Sequence, residues 1–176
     1  MLAYLFLVLA IAVRFAPHAF SFTPVGAALL FFGANAPRKR AWIPLVALAA
    51  SDILLTRLVY GYAFLPDQFI IWAWYAGMVL LGGMLRQNVR PARVLGASLA
   101  AAVSFFVLSN FGVWLAWPTY PHTFAGLTAC YLAAIPFFRN ELVSDVVFTA
   151  AMFSTPVAIS AVRRHLARAG SPTAAV

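Results

Sequence analysis

Residues 93–117 read RVLGASLAAAVSFFVLSNFGVWLAW, and this stretch decides the fold class. After Arg93 it carries no ionisable side chain. At a helical rise of about 1.5 Å per residue it is long enough to cross a hydrocarbon layer about 30 Å thick. Further apolar runs cover 2–15, 24–36, 41–58, 68–85, 123–138 and 142–162. Pro17, Pro24, Pro37, the Gly61–Pro66 stretch, Pro91, Pro118, Pro121 and Asn140 punctuate them. No run alternates with the period of a barrel strand, so the pattern predicts an all-α integral membrane protein.

Composition agrees. Hydrophobic residues make up 64% of the chain and charged residues 9%, whereas soluble domains are roughly half apolar and a quarter charged. A net charge of +8 invites a nucleic-acid reading. The basic residues, however, fall in short clusters between apolar runs, where they carry topology information; no nucleic-acid partner is expected. The single cysteine, Cys130, excludes an internal disulfide and any site built from several cysteines. The opening stretch lacks a basic start, and Pro17 spoils a cleavage site after Ala19, so it is expected to stay as a first helix.

The clusters are Arg38-Lys39-Arg40, then Arg86, Arg90 and Arg93, then Arg163, Arg164 and Arg168. The positive-inside rule wants all three in the cytoplasm. Two runs separate the first pair of clusters, which suits the rule, but three separate the second pair. The conflict disappears if 123–138 does not cross. The expected architecture is therefore a bundle of six transmembrane helices with a re-entrant or capping helix between the fifth and sixth, over residues 118–141. One transmembrane domain, 1–162, precedes a basic cytoplasmic tail, 163–176. The chain is then expected to be a multi-pass protein of the inner (cytoplasmic) membrane with both termini in the cytoplasm. A seven-span arrangement with its C-terminus outside is the competing topology.

In this topology all four acids fall in the outer half: Asp52, Asp67, Glu141 and Asp145. Arg14, Arg57, Arg139, Asn110, His18 and His122 join them. Charge inside a bilayer is costly and marks function, or else a brace between helices. Asp52 and Asp145 are the deepest acids; the brace reading pairs them with Arg57 or Arg139. Trp72, Trp74, Trp114, Trp117, Tyr60, Tyr62 and Tyr120 gather on the same side. Beyond the first run Trp42 alone stands near the inner interface, so an interfacial belt does not account for all of them and some should line a pocket. Asn110 and Trp114, four apart, share a helix face. Ala125, Ala129 and Ala133 form a small-residue stripe beside Gly126, Cys130 and Ala134, which allows close helix approach and makes Cys130 a packing residue. No metal-ligand cluster, phosphate loop or hydrolase motif is present, so neither a cofactor nor an enzymatic role is expected.

Four stretches carry a resemblance: Phe22-Thr23-Pro24-Val25-Gly26-Ala27, Ser51-Asp52, Ser109-Asn110-Phe111-Gly112-Val113-Trp114, and AGLTACYLAAIPFFRNELVSD from Ala125 to Asp145. They resemble a bacterial family of uncharacterised small membrane proteins. That family is in turn similar to the substrate-binding S components of energy-coupling-factor vitamin transporters. The family pattern places Gly before the acid, where this chain has Ser144. The alanine-spaced docking motif of S components has only Ala12 and Ala16 here, interrupted by Arg14.

The resemblance implies six helices, an outward pocket for a small organic nutrient, and as partners a transmembrane coupling subunit with its ATPases. The expected substrate-binding residues are Asp52, Asn110, Trp114, Tyr120, Arg139 and Asp145, in contact with a small-molecule ligand and surrounded by the lipid bilayer. A non-transporting assembly or structural protein is the rival reading, and an intramembrane enzyme the third.

Overall fold

The computed structural model describes residues 1–16 and 22–169, with side chains described up to Ala167. His18, Arg168 as a side chain and the end of the tail lie outside the described residues. The described chain contains helices and no strand, in the order α1 (Leu2–Val13), α2 (Val25–Asn35), a single 3₁₀ turn (Arg38–Arg40), α3 (Trp42–Leu54), α4 (Asp67–Leu85), α5 (Pro91–Ala116) and α6 (Phe124–Ala169). α3 continues as a wider π-helical turn over Leu55–Val59. The chain is an all-α membrane protein: four helical stretches, Arg38–Val59, Asp67–Leu85, Pro91–Ala116 and Phe124–Ala167, are long and apolar enough to cross a bilayer.

The two remaining helices are short. α2 has 11 residues, about 17 Å at the α-helical rise, and buries every residue from Val25 to Ala34. A helix that is apolar all round belongs in the middle of a bundle, and α2 packs against α1, α4, α5 and α6. Its seam with α4 is backbone on backbone. A Cβ at Gly33 would strike the Val79 carbonyl, and one at Gly82 would strike the Leu30 carbonyl. Small residues at such a crossing let van der Waals contact replace the hydrophobic drive that lipid removes. Arg86 closes the end of α2 by donating to the carbonyls of Gly33, at 2.8 Å, and Ala36. Those carbonyls have no intrahelical partner, and a cation suits the negative end of the helix dipole.

Prolines sit where backbone donors can be spared. Pro91 begins α5, and Pro44 lies in the first turn of α3. Pro136 and Pro156 are inside α6 and do not end it. This is the main departure from the expected architecture, in which Pro136 and Asn140 were to separate a capping helix, 123–138, from the sixth span. Instead one helix of 46 residues, about 69 Å long, runs antiparallel to α5. No separate re-entrant or capping helix stands between α5 and the last span. A proline removes one backbone bond and bends the helix, and the continuous α5 contact carries the helix through. Cys130 Sγ donates to the Asn110 carbonyl at 3.4 Å, Tyr131 donates to the Val107 carbonyl at 2.7 Å, and Phe106 meets Phe138 at 4.7 Å. A continuous helix crosses once, so 123–138 and 142–162 do not form two separate spans.

The small-residue stripe is rotated from expectation as well. Gly126 and Cys130 are buried, whereas Ala125, Ala129 and Ala133 are exposed. The Gly126–Cys130–Ala134 row faces the bundle.

The helices share two ends. Arg40 donates to the Tyr4 hydroxyl at 3.0 Å, which sets the start of α1 beside the first basic cluster. Arg38 and Arg86 border one cavity at this basic end. Val157 and Ala158 of α6 lie in a groove with Val89 and Pro91, so α6 also runs toward the basic end. The described part of the tail, up to Ala167, continues α6 as an exposed helix. The opposite end carries Asp52, Asp67 and Glu141.

Candidate functional site

Asp52 occupies the last turn of α3, just before the π-helical segment, and is only 5% exposed. Its carboxylate is fully engaged. Arg14 forms an ion pair with Oδ1, the Trp72 indole N–H donates to Oδ2 at 2.9 Å, and the Tyr75 hydroxyl donates to Oδ1 at 3.3 Å. Arg14 also donates to Ser51 Oγ at 2.6 Å, and that hydroxyl donates to the Leu48 carbonyl at 2.8 Å. The network ties α1, α3 and α4 together. A charge pair is tolerated at this depth because both oxygens of the carboxylate accept from buried donors. The brace expected for Asp52 exists, but its partner is Arg14; Arg57 and Arg139 are both exposed. Arg14–Asp52 is the one ion pair found among the described residues.

The knot forms one wall of a cavity of about 630 Å³. Arg14, Asp52, Leu55, Tyr60, Gln68, Ile71, Trp74 and Tyr75 line it together with Thr23, Val25, Gly26, Phe105 and Glu141. Small-ligand pockets occupy roughly 300–1,000 Å³ with mostly apolar walls and a few placed polar groups, and this cavity meets that description. Trp74 is held in place by donating to Ser104 at 2.9 Å and by its edge contact with Phe105 at 4.9 Å. A side chamber of about 200 Å³ shares Arg14, Asp52, Tyr60 and Gln68 and adds Tyr62, Asp67 and Trp117. There the Trp117 indole donates to Asp67 Oδ2 at 3.0 Å.

Glu141 and Asp145 present the opposite situation. Glu141 is 9% exposed and Asp145 1% exposed. Neither forms a hydrogen bond or ion pair among the described residues, and both Asp145 oxygens are buried without a donor. The expected brace from Arg57 or Arg139 to Asp145 is therefore not formed. Asp145 lies against Gly26, where a Cβ would run into its carboxylate. Next to it, Ser144 Oγ donates to the Thr23 carbonyl at 2.7 Å. Two of the singled-out motifs thus meet: the Thr23–Gly26 turn into α2 packs on the Ser144–Asp145 step of α6.

The other singled-out residues are more dispersed. Asn110 turns its amide to the Phe106 carbonyl of its own helix at 2.7 Å and borders a crevice of about 250 Å³ that Glu141 and Phe105 share with the main cavity. Trp114 donates to the Pro121 carbonyl at 3.0 Å and stacks edge-on with His122 at 5.4 Å. Tyr120 is half-buried in the α5–α6 turn, and Arg139 is exposed on α6. None of Asn110, Trp114, Tyr120, Arg139 and Asp145 is among the residues lining the main cavity.

Residues that sequence reasoning did not single out for the site are Arg14, Gln68, Tyr75 and Glu141. Tyr60 and Trp74, by contrast, belong to the outer aromatics of which some were expected to line a pocket. Arg14 had a signal: an arginine closing an apolar run needs a buried partner, and Asp52 was the acid at matching depth. Tyr75 and Gln68 had none beyond helical position.

Fold and site together define an all-α membrane protein with a polar-floored cavity at one end of its bundle. The chain belongs to the family of unknown function DUF6580, whose profile matches residues 1–168. No curated protein and no solved structure matches it.

Proposed function

We propose that the protein captures a small organic nutrient from outside the cell and presents it for uptake, without catalysing a reaction on it. The observation that carries this reading is the cavity of about 630 Å³ lined by Arg14, Asp52 and Tyr75 of the polar network. Its rigidity supports recognition, since polar groups already held by one another need no reordering when a ligand arrives. The similarity to S components of vitamin transporters, carried by the four motifs, points the same way. In this reading Asp52 orients the cavity wall, and a coupling subunit with ATPases is the energising partner. Asn110, Asp145, Trp114, Tyr120 and Arg139 then act around the cavity through α5 and α6.

The orientation belongs to the same proposal. With the three basic clusters at one end, the positive-inside rule puts that end and both termini in the cytoplasm of a bacterial inner membrane, and the cavity outside. An impermeant thiol reagent on intact cells, in a Cys130→Ser background, should label Thr119→Cys and leave Ala92→Cys untouched. The reverse pattern overturns the orientation.

Function is tested by thermal stability of the purified chain against a panel of vitamins and related nutrients, together with extraction of small molecules that co-purify. A saturable rise in melting temperature or a co-purified compound is expected. Silence in both favours the assembly-factor reading, whose own support is the long exposed end of α6 with Arg163, Arg164 and His165.

A further inference from the structure

We infer that the cavity at the Asp52 end selects a compact organic cation, with the Glu141 carboxylate as its counter-charge; the inference rests on the capture reading above. Among the described residues, three side chains that carry formal charge line the cavity: Arg14, Asp52 and Glu141. Arg14 is spent on Ser51 and Asp52, and Asp52 accepts from Arg14, Trp72 and Tyr75. That pair presents no net charge and has no free acceptor of note. Glu141 is different: it is nine-tenths buried, borders the cavity, and takes part in no ion pair among the described residues. An isolated carboxylate in low-dielectric surroundings is costly unless a positive group meets it.

A second carboxylate reinforces the first. Asp145 lies one turn further along α6, fully buried and unpartnered, against Gly26, which itself lines the cavity. A cation in the cavity would favour the charged form of either acid, since an opposite charge is what holds a buried carboxyl ionised. The same lining supplies Tyr60, Trp74 and Tyr75. Aromatic faces attract cations and add about 0.5–2 kcal/mol in desolvated sites. An anion would find the one guanidinium of the described lining already bound and two acids nearby. The volume of about 630 Å³ is ample for a ring plus an ammonium group.

The test uses the purified full chain and three probes of similar size: benzyltrimethylammonium chloride, benzyl alcohol and sodium benzenesulfonate. Benzyltrimethylammonium should raise the melting temperature saturably, with the other two well behind. Glu141→Gln should weaken its apparent affinity about tenfold or more, while the exposed Arg163→Gln keeps it. Ile71→Phe, which fills the cavity from α4, should abolish it. If Glu141→Gln does not purify, the ranking of the three probes on the wild type, checked with Ile71→Phe, decides. A saturable shift from benzenesulfonate or benzyl alcohol that exceeds the cation's and is lost in Ile71→Phe overturns the cation and leaves capture standing. So does full retention of the cation's affinity in Glu141→Gln. No saturable shift from any probe overturns the cation, while capture is decided separately by the nutrient panel and the co-purified compounds.

Discussion

Asp52 and the Glu141–Asp145 step are both acidic, both buried and both in helices that cross the bilayer, yet their surroundings are opposites. Asp52 has an arginine, an indole and a phenol on its two oxygens. Asp145 has a glycine backbone against it and no donor at all. The contrast separates two uses of a membrane carboxylate. One that is saturated by its own chain stabilises and positions helices; one left without a partner awaits something from elsewhere. Burial alone does not tell them apart. Counting donors does.

The contrast can be broken by substitution. The largest effect is expected from Arg14→Gln, which leaves Asp52 charged, buried and without its cation. Losing one partner of a buried pair costs about 3–5 kcal/mol, read as a large fall in melting temperature. The double variant Arg14→Gln/Asp52→Asn should recover part of it. A mild loss in the single variant would mean the knot is not a brace. An intermediate effect is expected from Gly26→Ala. Its new methyl group meets the Asp145 carboxylate, and overpacking of this kind costs about 1–3 kcal/mol; Gly26→Ala/Asp145→Ala should be milder than Gly26→Ala alone. The smallest stability effect is expected from Asp145→Asn, which breaks no hydrogen bond among the described residues and should change stability by less than about 1 kcal/mol. Its consequence should instead be weaker ligand binding. A large stability loss with binding intact would place Asp145 in the scaffold beside Asp52.

The helical class was legible because it depends on gross apolar runs, and 93–117 alone establishes it. The end of the molecule that holds the polar groups was legible too, since Asp52, Asp67 and Glu141 are spaced from the basic clusters by whole helices. Pairing was harder. Arg57 is closer to Asp52 in sequence than Arg14 is, but it projects from the π-helical turn to the surface, while α1 brings Arg14 alongside. Span boundaries failed at Pro136 because a proline signals a bend without deciding whether neighbours hold the helix together. Asn110 and Trp114 do share one face of α5, as their spacing implied. Their hydrogen bonds, however, go to the backbone of their own helix and of the following turn, which no spacing rule discloses. Glu141 was seen as an outer acid, but its place on the cavity wall depends on the rotation of α6.

The central claim is that the cavity beside Arg14 and Asp52 holds a small molecule. Native mass spectrometry of the chain released from its own membranes tests it most directly, on the wild type and on Ile71→Phe at matched thermal stability. The account predicts a discrete added mass of small-molecule size on the wild type and its absence from Ile71→Phe. An added mass carried equally by both would locate the molecule elsewhere, and a bare wild-type chain, with no mass gained after incubation with nutrient extracts, would contradict the claim.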